Sequence, residues 1–337
     1  MGTRPELLVQ IYKEVSPVLI SRFGDREETV RLEVWATYVV LLNQTAVYGG
    51  VPQAKDPDSS VRGKRKRDET MDVEGSPYTL LRNQVPHLSK ALLNRLKSSR
   101  TPPATLQAGF GLLHALLNVL PGSLSSQVTL IVSTSKSILS QSPTTSTSTL
   151  HLTCLSFLAV FFATHSPPTF LGSLPSLTPV LLKSLREKHP RVTSDSFRVF
   201  SKLLNAIKPV KAADWVDPLY DQAVLRLTSH DTDAEVRSCA EESISDLWVC
   251  ATDIMQGKNR KEWEAICRSS GKTDGAVKVV TKVAKEVVID DQWVNGCVDW
   301  LMGLLKKSGR SGKAEIFIGL DVLLRRWVFV AMAREQY

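Results

Sequence analysis

The sequence is poor in aromatic residues and contains no long apolar run. Only 7% of its 337 residues are Phe, Trp or Tyr, and its apolar positions are mostly Leu, Val and Ala, which favours packing of helices over sheets. The most apolar stretch, Leu152 to Ala163, is shorter than the roughly 18 residues that a membrane span needs. The start of the given sequence carries Glu6 and Glu14 and lacks the apolar core of a secretory signal. We therefore expect no membrane partner.

Cysteine pairs and catalytic motifs are also missing. The five cysteines are odd in number, lie far apart and include no CxxC pair, which argues against a disulfide framework or metal site and favours a reducing intracellular compartment. The six histidines show no HExxH spacing, and the sequence has no Walker loop, GxSxG turn or GxGxxG fingerprint. We therefore predict no enzyme activity, no cofactor and no bound metal.

Positive charge exceeds negative charge, but the excess is local. The chain carries 42 Lys and Arg residues against 34 Asp and Glu residues, a formal net charge of +8. Four of the cations form the run Lys64, Arg65, Lys66 and Arg67, and many others lie between Lys258 and Arg326. Without these two clusters the remainder is close to neutral, so the sequence predicts no specific nucleic-acid partner.

What the sequence does contain is a repeat. Apolar residues recur at helical spacing, in pairs of helices separated by Pro, Gly, Ser and Asp. The first apolar residues of the second helices are separated by 76, 44, 42, 44, 41 and 39 residues; they are Val30, Leu106, Leu150, Val192, Val236, Val277 and Ile316. A polar stretch of 31 residues accounts for the long first interval. The period of about 40–47 residues is typical of HEAT and armadillo arrays.

The sequence therefore predicts an all-α, HEAT-repeat (armadillo-like) superhelical solenoid of about seven helix pairs. We predict a repeat over 1–45, a polar insertion over 46–76, about four repeats over 77–252, about two over 253–330 and a divergent tail over 331–337. Because one helix pair cannot bury its apolar stripe alone, each pair stacks on its neighbours and leaves an extended surface that suits a protein partner. The apolar ends of the chain predict a section of a longer solenoid, or half of a two-chain one.

Two repeats share an Asp–Arg pair. Asp25 precedes Arg31 by six residues, and Asp231 precedes Arg237 by the same six. We expect each aspartate to cap its second helix, and each arginine to reach an aspartate of the same or the next repeat. The other repeats lack this pair.

Two basic clusters are candidate contact sites. The run from Lys64 to Arg67 suits the acidic grooves of nuclear-import receptors; the alternative is a solvated run balanced by nearby acidic residues. A second cluster flanks a predicted inter-helix turn and would fit an acidic patch on a partner. The alternative is an ordinary solvated turn. The cations that flank the turn are Lys306, Lys307, Arg310 and Lys313, and Arg325 and Arg326 lie beyond it.

Several long segments resemble the cullin-associated, NEDD-dissociated (CAND) family, in the pattern of a fungal member. They are Ser16 to Thr45, Ser76 to Pro103, Gly111 to Val128 and Gly271 to Arg326, and they occur in family order over nearly the whole chain. Only the N-terminal and middle repeats of the family have a counterpart, and the sequence departs from the family pattern after Arg326.

The resemblance implies a scaffold that wraps around a cullin and its RING subunit when the cullin lacks its ubiquitin-like modifier. It implies regulation of the assembly and exchange of substrate-receptor modules in SCF-type ubiquitin ligases, in the nucleus and cytoplasm. It also implies a partial chain, which either works with a companion chain that carries the remaining repeats or is a truncated relative. The alternative is a HEAT scaffold or transport adaptor with a different protein cargo, because fold alone does not determine function.

Overall fold

The computed structural model describes residues 5–49, 75–97, 101–211, 213–229, 231–256, 273–286, 291–307 and 309–334. Within these residues every regular element is helical, so the predicted all-α class is confirmed. The helices, in chain order, are α1 (Pro5–Glu14), α2 (Ser16–Ser21), α3 (Glu28–Tyr48), α4 (Pro77–Leu96), α5 (Pro103–Val119), α6 (Val128–Leu139), α7 (Ser148–Thr164), α8 (Pro167–Phe170), α9 (Leu174–Ser184), α10 (Pro190–Ile207), α11 (Val216–Thr228), α12 (Ala234–Cys250), α13 (Thr252–Gln256), α14 (Thr273–Glu286), α15 (Asp291–Lys307) and α16 (Arg310–Arg334).

The predicted repeat period is confirmed by the helix positions. The seven apolar markers fall, one each, in α3, α5, α7, α10, α12, α14 and α16. Another helix precedes each of these second helices, which gives the alternation of first and second helices that HEAT repeats show. Among the markers, Val30 is 39% exposed and Leu106 is half-buried, whereas the other five are buried.

The helix ends differ in places from the predicted boundaries. Helix α3 continues to Tyr48, three residues past the predicted repeat end, and stops where the N–H of Gly49 bonds to the carbonyl of Thr45. Helix α16 runs on to Arg334, into the predicted tail. The run from Lys64 to Arg67 lies outside the described residues.

The chain divides into two compact units. Unit 1 comprises residues 1–138 and 164–173, and unit 2 comprises residues 139–163 and 174–337. In unit 1, α3 packs on α5 and α1 packs on α4. In unit 2, the second helices pack in series, α10 on α12, α12 on α14 and α14 on α16. Each unit is therefore built from stacked repeats.

The core of unit 1 combines aromatic rings with a buried polar network. Phe23 contacts Trp35 and Tyr38 edge to face, with ring centroids 6.3 and 5.3 Å apart. The hydroxyl of Tyr38 lies 3.0 Å from that of Ser16, and burial raises the pKa of Tyr38 to about 12. Gln84, on α4, donates to the carbonyl of Tyr12 at 2.7 Å, which joins the first two repeats.

The core of unit 2 includes an aliphatic cluster shared by its last helices. The cluster is fully apolar, as expected where neither helix of a pair can bury its stripe alone. Its buried members are Val277, Val280, Ala284, Leu301, Ile316, Leu320 and Leu323.

The structure contradicts the predicted contact between the Arg31 side chain and an aspartate carboxylate. Arg31 is buried, and its Nη1 donates at 2.8 Å to the backbone carbonyl of Asp25, not to the carboxylate. The residue before the helix is Glu27, so Asp25 lies too early to cap α3. The Asp25 carboxylate instead accepts from the N–H of Glu27 at 3.1 Å, which holds the pKa of Asp25 below its usual value.

The second predicted pair is corrected in the same way. Asp233, not Asp231, caps α12, because it directly precedes the first helical residue; its carboxylate accepts a backbone N–H at 2.9 Å. Arg237 donates to the carbonyls of Ser229 and Thr232 at 3.0 and 3.3 Å. Both arginines therefore occupy equivalent positions, but they bind the backbone of the preceding loop.

A cation–carbonyl ladder connects successive repeats. In each of three pairs, a cation in the last turn of a first helix donates to a carbonyl of the loop in the preceding repeat. Arg95 reaches Gly24, Lys183 reaches Ser140 at 2.6 Å, and Arg226 reaches Leu185 at 2.8 Å. The pairs span 71, 43 and 41 residues, the first including the polar insertion. The ladder thus follows the repeat period.

Candidate protein-interaction surface

The C-terminal candidate cations lie in two groups, one at the turn between helices and one beyond it. Lys306 and Lys307 are exposed at the end of α15, and Lys313 lies half-buried in the first turn of α16. Arg325 is twelve residues further along the same helix, a distance of about 18 Å, and pairs with Asp321 at 2.8 Å. The side chains of the remaining members, Arg310 and Arg326, lie outside the described residues.

A more continuous charged surface runs across the second helices of unit 2. On α10, the charged positions Arg191, Asp195, Arg198 and Lys202 recur at intervals of three and four residues. Residues at this spacing lie on one face of a helix, because an α-helix has 3.6 residues per turn. The arginines and the lysine are exposed, whereas the residues between them are buried against the core.

The next two second helices continue this surface. On α12 its exposed members are Glu235 and Glu242, and on α14 the same face carries Lys278, Lys282 and Lys285. Lys278 and Lys285 are exposed, and the Lys282 side chain is 34% exposed. We call these residues, together with Arg191, Arg198 and Lys202, the charged face.

Ion pairs connect the charged face across helix boundaries. Arg198 contacts Asp195 at 2.6 Å within α10 and Glu235 of α12 at 2.7 Å. Lys282 of α14 contacts Asp246 of α12 at 3.0 Å. The Arg198 pairs are 25–47% exposed, so water screens them and they contribute little to stability. They hold the side chains in place while leaving them accessible to a partner.

The electrostatics agree with these contacts. Burial acts to lower the pKa of Lys282, but the hydrogen bond to Asp246 and the charges of Asp246 and Glu242 outweigh it, so that the pKa is raised. Burial raises the pKa of the Cys239 thiol, which lies between Arg198 and the glutamates of α12. Cys239 is therefore a neutral packing residue beneath the charged face.

The predicted basic clusters do not include this surface. The signal was present, since Arg191, Asp195, Arg198 and Lys202 already show helical spacing in the sequence. The surface changes sign from helix to helix and combines α10, α12 and α14, which are separated along the chain, so no single stretch of sequence shows it.

Within the described residues, neither a helix able to cross a bilayer nor a cluster of metal-ligating side chains is present. Among them, no helix combines the length and apolar character needed to cross a bilayer. That same part of the chain holds no group of three or more His, Cys, Asp or Glu side chains placed to bind a metal ion.

Solved structures match the fold at low sequence identity. A complex of Kap95 with Nup1 aligns over 94% of this chain and 43% of the other, with a TM-score of 0.57 and 12% identity. A structure of Kap95p with RanGDP aligns over 93% of this chain and 42% of the other, with a TM-score of 0.56 and 12% identity. These likenesses show the helical-repeat fold alone.

Sequence comparison identifies relatives. A family model described as "CAND1-like, TPR repeats" matches residues 122–244. "Cullin-associated NEDD8-dissociated protein 1" of Arabidopsis thaliana is 30% identical over 71% of this chain and 18% of its own length. The protein of that name in Dictyostelium discoideum is 30% identical over 96% of this chain and 25% of its own length. A relative in Emericella nidulans, named the "C-terminal part" of such a protein, is 24% identical over 89% of this chain and 34% of its own length.

The chain thus spans a quarter or less of the length of the full-length relatives in Arabidopsis and Dictyostelium. Its helical repeats and its similarity to these proteins lead to one assignment. This chain belongs to the cullin-associated, NEDD8-dissociated (CAND) protein family and corresponds to part of the length of these relatives.

Proposed function

We propose that this chain is a scaffold that binds a cullin and its RING subunit, and that it acts by binding without catalysis. The observation that carries the proposal is the 30% identity to relatives whose names describe them as cullin-associated. The role extends to the exchange of substrate-receptor modules on ligases whose cullin lacks NEDD8.

The stacked second helices provide a suitable surface. The charged face extends over three successive repeats, and stable protein interfaces bury at least about 1,000 Å². Exposed charges at such a surface favour fast association and correct register over raw affinity. A scaffold that exchanges its partners needs these properties.

We further propose that exchange requires a companion chain with the remaining repeats. This chain spans 18–25% of its full-length relatives, and its Emericella relative carries a name that describes a part. Mixing the chain with the separately produced remaining repeats is expected to restore exchange. Exchange by this chain alone would contradict the requirement.

A pull-down tests the central proposal. The purified chain is immobilised and offered cullin–RING complex with and without covalently attached NEDD8. We expect retention of the unmodified complex and rejection of the modified one. Equal retention of both forms, or of neither, contradicts the proposal; in the second case a HEAT scaffold or transport adaptor with another cargo becomes the better interpretation.

We also propose that the chain enters the nucleus through the run Lys64, Arg65, Lys66 and Arg67. A reporter fused to the whole chain is expected to accumulate in nuclei. Replacing the four cations with Gln should shift the reporter to the cytoplasm, and replacing Lys306 and Lys307 should not. Unchanged nuclear accumulation of the first variant contradicts the import role.

A further inference from the structure

We propose that the charged face recognises a helix of a partner protein that carries acidic, basic and acidic groups in this order, at intervals of seven residues. This inference rests on the proposed function as a protein-binding scaffold, and it specifies the chemistry of the partner. It concerns only the surface of α10, α12 and α14 within unit 2.

The first support is the change of sign from one second helix to the next. The exposed face of α10 carries Arg191, Arg198 and Lys202. On α14, Lys278 and Lys285 are exposed and Lys282 is half-buried; the exposed Glu286 at the end of the helix leaves this group net positive. Between them, α12 exposes Glu235 and Glu242. The surface is therefore positive, negative and positive in successive repeats. A partner with acidic groups alone would face repulsion at α12, which costs specificity and affinity.

The second support is that contacts across the helix boundaries hold the signs in order. Arg198 and Glu235 are 2.7 Å apart, and Lys282 contacts Asp246 of α12 at 3.0 Å. Asp246 is buried, so its pair with Lys282 anchors α14 to α12. Glu242 also acts on Lys282 through its charge. The three helices therefore present their charges as adjacent stripes.

The third support is geometric. Packed helices lie about 8–10 Å apart, and a helix rises about 1.5 Å per residue, so seven residues of a crossing helix cover about one repeat. Residues at i, i+7 and i+14 also lie on nearly the same face, because seven residues are close to two turns. A partner helix lying across α10, α12 and α14 thus aligns one charged position with each.

The exposed ion pairs suit exchange with a partner. The side chains of Arg198 and Glu235 are 46% and 47% exposed, and exposed pairs are individually weak. A partner carboxylate can therefore compete for Arg198, and a partner cation for Glu235, at small cost to the fold. Recognition would depend on the order of the charges and would weaken with salt.

Two helical peptides of 21 residues form the probe. One carries glutamate pairs in the first and third heptads and a lysine pair in the second; the control has the same composition with both glutamate pairs before the lysine pair. Fluorescence anisotropy with the full chain at low salt is expected to show about tenfold tighter binding of the first peptide, since only a few exposed pairs change sign. The preference should shrink at high salt.

A double variant tests the role of α12. Glu235→Lys with Glu242→Lys makes the face positive throughout, so the preference for peptide order should fall to about one. Glu6→Lys with Glu33→Lys changes the net charge equally on exposed residues of unit 1 and should retain the preference. Circular dichroism checks that both variants remain folded.

The outcomes separate the inference from the proposed function. Equal binding of both peptides by the unaltered chain, or an order preference that survives the α12 double variant, overturns the inference whatever the cullin pull-down shows. An order preference lost only in the α12 variant supports the inference, even if the unaltered chain fails to retain cullin–RING complex. Failure of the unaltered chain to retain the cullin–RING complex would instead overturn the proposed cullin binding.

Discussion

Removing a cation of the ladder should loosen the contact between neighbouring repeats. Arg226→Met deletes the guanidinium that reaches back from α11 to the loop after α9. The methionine keeps most of the aliphatic stem, so the change isolates the polar contact. We expect a lower free energy of unfolding with no change in helix content.

The size of the effect follows from the two acceptors. Arg226 Nη2 lies 2.8 Å from the carbonyl oxygen of Leu185 and 3.4 Å from that of Glu187. These carbonyls follow the end of α9, where helical C=O groups lack intrahelical partners and a cation is favoured. One strong and one weak hydrogen bond from a charged group should contribute about 2 kcal/mol at this half-buried site.

Urea unfolding followed by circular dichroism measures the loss. Arg186→Met is the matched control, because Arg186 is exposed in the same turn. Arg226→Lys should recover about half of the loss, since Lys183 makes the equivalent contact to Ser140 through Nζ. A loss for Arg226→Met no larger than that of Arg186→Met would refute the stabilising role of the ladder.

Two further predictions concern unit 1. Gly111→Ala should stabilise α5 by roughly 0.5–1 kcal/mol, because a Cβ there meets nothing within 4 Å. A Cβ at Gly109 would lie 2.6 Å from Leu96 Cδ2, so Gly109→Ala should destabilise the protein by about 1 kcal/mol. Thermal melts compare the two, and equal shifts would contradict the close approach. Burial raises the pKa of Tyr38 to about 12 from 10.0, so its contribution to stability is fully present below pH 10 and is lost as the pH rises toward 12. Urea midpoints measured across this range should fall less steeply for Tyr38→Phe than for the unaltered chain; parallel slopes would contradict the assignment.

Helix positions and the repeat period could be predicted because they depend on side-chain patterning. Markers such as Val236 and Ile316 recur at near-constant spacing, and each lies in a second helix. The boundary near Thr45 was placed too early because Ala46 and Val47 fit a helix as well as a loop, and the stop occurs at Gly49.

The partners of Arg31 and Arg237 could not be predicted from residue types. Arg31 and Arg237 bind backbone carbonyls, and every residue carries a carbonyl, so the sequence offers no distinguishing partner. Asp25 and Asp231 are the expected partners because an acceptor of opposite charge usually pairs with an arginine. Only the loop geometry selects the backbone oxygens.

The charged face was hidden for a different reason. It combines residues of α10, α12 and α14, and only the packing of the second helices brings them together. The predicted cluster from Lys306 to Arg326, by contrast, was read along the chain, and α16 separates Lys313 from Arg325 by about 18 Å. A surface of a repeat protein combines residues of successive repeats, which lie far apart in the sequence.

The cullin-binding proposal is tested most directly by calorimetric titration of the purified chain into unmodified cullin–RING complex. We expect saturable binding of one chain per complex, which weakens with salt and is lost once the cullin carries NEDD8. Heats equal to those of dilution, or the same affinity for both forms of the cullin, would contradict it.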